Sequence, residues 1–176
     1  MRPRPLFVIA LIATVAAAAL GVACNDGGGA LSLEEYFARV DEAQNEVDRQ
    51  FEEAFQQEEP GPDASGEEIA ALGRQVVQTF STIFGDAEGA FGDLESPAEA
   101  EDAHDALVQA IGNARTAIEG VEDDIPDALS LEELDTLLGS TELDAATSAI
   151  DEACTELQTI ADDNSIAVDL ECEEEG

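Results

Sequence analysis

The sequence predicts an all-α protein: an up-down-up-down four-helix bundle with a C-terminal tail pinned by a disulfide. Three observations lead there. Apolar residues recur at intervals of three and four along most of the chain after residue 30, a serine-to-glutamate start signal opens successive segments, and breaks rich in proline or glycine separate them. The chain is strongly acidic, yet 44% of it is hydrophobic and that apolar content is periodic, which a disordered acidic segment would not show.

The first helix starts at Ser32-Leu33-Glu34-Glu35, a capping box. The serine oxygen accepts from a free amide of the first turn, and the glutamate reaches back to the serine amide. Leu33, Tyr36/Phe37, Val40, Ala43, Val47, Phe51 and Ala54/Phe55 then form one stripe, which should end near Glu59, before Pro60-Gly61-Pro62. A second box, Ser65-Gly66-Glu67-Glu68, opens the next helix. Its stripe runs through Ile69, Leu72, Val76, Phe80, Ile83, Ala87 and Ala90/Phe91 to Leu94. Gly73, Gly85, Gly89 and Gly92 interrupt this pattern, each costing ~1 kcal/mol against alanine in a helix interior. Ser81, Gly85 and Gly89 would make a smooth ridge, suited either to close approach of a neighbouring helix or to a ligand groove or hinge.

Ser96-Pro97-Ala98-Glu99 reads as a third box with proline at the first helical position, followed by Ala100, Ala103, Leu107, Ala110/Ile111, Ala114, Ile118 and Val121. So short a link from Leu94 makes the second and third helices antiparallel neighbours. After Ile125-Pro126, Ser130-Leu131-Glu132-Glu133 starts a short helix ending near Leu138-Gly139. A further helix runs from about Thr141 through Leu143, Ala146, Ile150, Ala153/Cys154, Leu157 and Ile160. Residues 166–170 alternate apolar and polar and read as an extended tail across the bundle, with 173–176 frayed beyond it.

Upstream of this domain, Arg2 and Arg4 precede an apolar run from Leu6 to Leu20, which is short of the ~20 residues of a membrane-spanning helix and reads as a cleaved export signal. Leu20-Gly21-Val22-Ala23-Cys24 resembles the lipobox of bacterial lipoproteins, with Gly21 rather than Leu20 at the third position before the cysteine. The resemblance covers residues 1 to 24 and implies a diacylglyceryl group on Cys24, cleavage just before it, and lipid anchoring at the extracytoplasmic face of the cell membrane. Gly21 and Ala23 also satisfy the small-x-small rule of ordinary signal cleavage, which would leave a freely secreted chain beginning with cysteine. The expected organisation is a signal peptide over 1–23, lipidated Cys24 and a polar tether over 24–30, the bundle over 31–172 and a disordered tail over 173–176.

Loss of the leader leaves four arginines, no lysine and forty-two acids. Such a chain lacks the clustered cations that nucleic-acid binding requires, and it is repelled by anionic headgroups, so membrane contact should come through the anchor alone. The acidity suits a basic protein partner, weak association with divalent cations, or life in a salty medium. With Cys24 assigned to lipid, Cys154 and Cys172 remain, and in an oxidising exported domain they should bond, contributing ~3 kcal/mol by the chain-entropy argument.

Little in the sequence points to catalysis. His104 is the only histidine, and Glu101 with His104 has the Glu-x-x-His spacing of a di-iron bundle, but only one such pair occurs where two are needed. Glu101 falls off the apolar stripe and His104 at its flank, so the pair is a weak metal candidate and the histidine is expected partly exposed at the bundle edge. No nucleophile elbow, phosphate-binding loop or calcium loop is present, and no cofactor is expected. Arg74 lacks an acid three or four residues away and reads as solvent-facing, with a partner contact as the alternative. The leading expectation is a non-enzymatic, membrane-anchored binding or scaffolding module. The second is a lipoprotein that binds a small ligand or cation for a transport system.

Overall fold

The computed structural model describes residues 31–56 and 64–172. The expected leader, Cys24 with its tether, the Pro60-Gly61-Pro62 break and the 173–176 tail lie outside the described residues. Five helices follow one another: α1 (Leu33–Phe55), α2 (Gly66–Gly92), α3 (Glu101–Asp124), α4 (Leu131–Leu138) and α5 (Thr141–Asp163), with no strand among the described residues.

Complete capping boxes open α1, α2 and α4. At the first, Ser32 Oγ accepts from the Glu35 amide at 3.3 Å while Glu35 accepts from the Ser32 amide at 3.2 Å. Ser140 caps α5, accepting from the Leu143 amide at 3.3 Å. The expected box at Ser96 is not used. Pro97 turns the chain, with the Ala100 amide bonding to its carbonyl at 2.9 Å, and α3 begins at Glu101 without a side-chain cap. Pro97 and Ala100 are both buried, Ala100 completely, so burial of the turn overrides the local capping pattern.

The long helices pack as α1 on α2, α2 on α3 and α3 on α5. The α2–α3 pair is antiparallel: Gln78 bonds Glu122, Ser81 bonds Glu119, and Glu88 pairs with Arg115, so rising numbers on α2 meet falling numbers on α3. This is the expected up-down-up-down bundle, with α4 inserted before the last helix and seated against α2 and α3. Two apolar clusters fill it. One holds Tyr36, Phe37, Phe91, Leu107, Leu157 and Leu170 at the α1 and tail end. The other holds Ile69, Val77, Ile118, Ile125 and Leu134 at the α4 end, and Phe84 packs against both.

The glycines of α2 behave differently from one another. A Cβ added at Gly73 would lie 2.8 Å from Leu134 Cδ1, so this glycine makes room for α4. Gly85 lies under the Arg115 side chain, and Gly89 has nothing within 4 Å. The Ser81–Gly85–Gly89 ridge therefore brings in no helix backbone, and α2 runs through it without a break.

Cys154 and Cys172 form the expected disulfide, with Cα atoms 5.7 Å apart. At the end of α5 the Ser165 amide bonds Asp162 O at 3.0 Å and the Ile166 amide bonds Ala161 O at 2.9 Å, with Ser165 at φ 59°. That is the left-handed helix stop usually built on glycine. It turns the chain back along α5 as an irregular segment that drives Leu170 into the core, 1% exposed.

Candidate ligand cavity beneath the tail

The tail is held by amides as well as by sulfur. Gln158 on α5 accepts from the Leu170 amide at 2.9 Å and donates to Val168 O at 3.1 Å, matching the backbone much as an adjacent strand would. From the opposite side, Gln44 of α1 donates to Leu170 O. The tail thus closes the gap between α1 and α5, and its fixed backbone leaves a void underneath.

That void is a cavity of about 210 Å³. Its α1 wall is Val40, Val47 and Phe51, which share one helix face. Phe84, Ala87 and Phe91 come from α2, Leu107 and Ile111 from α3, and Ile150, Cys154 and Leu157 from α5. Leu170 and Cys172 form its tail side, so the disulfide is part of the wall. Burial is graded. Val40, Ala87, Phe91, Leu107, Ile111 and Leu157 are buried, Val47, Phe51, Phe84 and Ile150 are partly exposed, and Asp48 and Glu171 at the rim are exposed. Phe51 stacks edge-on to Phe80 and Phe84, with centroids 5.5 and 5.8 Å apart, which stiffens the wall.

The polar groups lining the cavity are Gln44, Asp48, Asp151 and Glu171; no arginine or histidine is among the lining residues. The Asp48 carboxyl is held above its ordinary range, first by partial desolvation and then by the neighbouring carboxylates Glu171 and Glu52. Glu171 sits at φ 47°, so the backbone at the rim takes a conformation that side-chain-bearing residues rarely adopt.

The weak metal pair is separated by burial. Glu101 is exposed, whereas His104 is 4% exposed and its Nδ1 lies 3.0 Å from the Tyr36 hydroxyl. The expected edge position of His104 is thus corrected: Tyr36, fully buried on α1, covers the flank of α3 and takes the imidazole as its polar partner. Desolvation pushes the His104 pKa down, with Asp105 opposing, and pushes the Tyr36 phenol well above its ordinary value. The pair is a neutral, satisfied contact inside the core. Among the described residues no group of three or more His, Cys, Asp or Glu is placed to hold a metal ion.

Arg74 also departs from expectation. It reaches across to the end of α3, donating to Ile125 O at 3.2 Å and Pro126 O at 2.9 Å, with Asp127 3.7 Å away. An arginine without a helical ion-pair partner is here spent on carbonyls left over by a neighbouring helix.

Sequence reasoning missed Gln44, Gln158 and Asp48. The available signal was Gln44 and Asp48 standing beside Val40 and Val47 on the apolar side of the first helix, where amphipathic patterning alone would set hydrophobes. The chain matches no protein-family model, and comparison with curated proteins and with solved structures likewise finds no match. Among the described residues no helix is long and apolar enough to cross a membrane.

Proposed function

We propose that this chain is an exported, lipid-anchored binding module without catalysis, held at the extracytoplasmic face of a cell membrane through Cys24, and that it takes a small ligand into the cavity beneath its tail. The leader and the cysteine that ends it support the anchoring. The observation that carries the ligand is the cavity itself, an apolar void with a few convergent polar groups at its mouth. A scaffolding role through apolar contact, as distinct from one through the acidic surface, would call for an exposed hydrophobic face. The large hydrophobic left exposed among the described residues is Leu131, at 52%, and one leucine is an ordinary surface feature. The small-ligand reading, as for a lipoprotein serving a transport system, is therefore the better supported of the two.

The test is native mass spectrometry of the mature protein extracted in mild detergent from its own membranes. A mass excess localised to Cys24 and a small molecule released on denaturation are expected. Ala87→Leu, which intrudes on the cavity, should keep the helix content and weaken retention of the molecule. An unmodified Cys24 overturns the anchoring. A wild-type protein that carries nothing and takes up no hexanol overturns the ligand reading.

A further inference from the structure

The cavity walls are hydrocarbon and aromatic, and the lining residues that carry charge, Asp48, Asp151 and Glu171, are all acids. The acids lie where the wall gives way to solvent, Asp48 and Glu171 exposed and Asp151 partly so, while the floor is made of buried Leu107, Ile111 and Leu157. A ligand that satisfies both zones has an apolar body and a positive head. Building on the small-ligand reading above, we infer that the cavity binds a small organic cation, an alkylammonium or arylammonium, with its apolar part on the Leu107–Ile111 floor and its ammonium at the rim between Asp48 and Glu171.

Size and charge both support that class. An apolar cavity of roughly 150 Å³ is enough to hold benzene, so about 210 Å³ takes a hexyl chain or a single substituted ring. A carboxylate head such as a fatty acid's would meet three acids and no lining cation, and would be repelled. A bare metal ion is also a poor occupant: the hydrocarbon floor offers it no ligand, and no three-ligand cluster occurs among the described residues. An ammonium keeps its own water at the open rim while its chain fills the floor, as amphipathic lysines do on protein surfaces. The Asp48 carboxyl is raised first by partial desolvation and then by its like-charged neighbours Glu171 and Glu52, and a cation bound between Asp48 and Glu171 would offset the second of these.

The experiment compares three probes of one shape, hexylammonium, hexanol and hexanoate. Each is titrated into the mature lipidated protein in phosphatidylcholine nanodiscs and corrected against empty nanodiscs. The expected order is hexylammonium tightest, by about ten-fold over hexanol, with hexanoate weakest. The preference for the cation should shrink in ~1 M salt. The double variant Asp48→Asn with Glu171→Gln, which leaves Asp151 in place, should remove most of the preference for hexylammonium over hexanol while leaving hexanol unchanged. Equal binding of hexylammonium and hexanol to the wild-type protein overturns the cation assignment and leaves the cavity reading standing. Failure of all three probes overturns both.

Discussion

His104 illustrates how one packed side chain changes the chemistry of another. A free histidine titrates near 6.5, but here burial disfavours the charged ring and the Tyr36 hydroxyl occupies Nδ1. Because the folded value lies below the unfolded one, the unfolded chain binds the proton more readily. Stability is therefore intact above about pH 6.5 and is lost as pH falls through that value towards the folded one. The glutamates of the capping boxes have lowered values, so their loss sets in further down the pH scale. Denaturant titrations between about pH 7 and pH 5.5 should show stability falling in the wild-type protein and a flatter profile for His104→Gln. Parallel profiles would mean that His104 is not the titrating group. The histidine was visible in the sequence and its burial was not, because the residue that buries it, Tyr36, lies 68 positions away and on another helix.

The helices themselves were largely legible. Three boxes of serine followed three residues later by glutamate cap three helices, and the α3 stripe lies on the buried face. In α2 the first half of the expected stripe is off by one position: Ala70, Gly73 and Val77 are buried while Leu72 and Val76 are only partly so. The fourth box failed at Ser96, where burial of Pro97 and Ala100 outweighs a single cap, a contribution of about 1 kcal/mol. Glycines in α2 give a sharper test of element against context. Gly89→Ala has open space for its methyl and should stabilise the protein by about 1 kcal/mol through helix propensity alone. Gly73→Ala offers the same propensity but presses on Leu134 of α4, so its net gain should be smaller or negative. Chemical denaturation of both variants decides it, and an equal gain at the two positions would show that α4 moves aside at no cost.

For the whole molecule, charge is the dominant unbalanced term. Arg49 pairs with Glu46 and Glu53, Arg115 with Glu88 and Glu119, and Arg74 approaches Asp127, yet the chain as a whole sets six arginines against forty-two acids. These pairs are surface contacts worth little individually. Self-repulsion should therefore outweigh them, and Tm should rise as sodium chloride increases from ~10 mM to ~1 M, over which the screening length falls from about 30 Å to about 3 Å. A Tm that falls with salt would mean that the arginine pairs matter more than the excess of acids.

What the sequence by itself determined is the local grammar: which segments are helical, where three of them start, that two cysteines near the C-terminus bond, and that the chain folds as an antiparallel bundle. The helix starts follow from interactions between residues close in sequence, the bundle from a periodicity that requires the stripes to be buried against one another, and the cysteine pairing from elimination once Cys24 is set aside. Only the tertiary structure decided where His104 lies, what Arg74 caps and how Gln44 and Gln158 hold the tail. The same is true of the cavity. Its volume is what remains when α1, α2, α3, α5 and the tail meet around side chains of limited bulk, with no tryptophan in the chain to fill the gap. Such a remainder depends on every wall at once, so no single stretch of sequence encodes it.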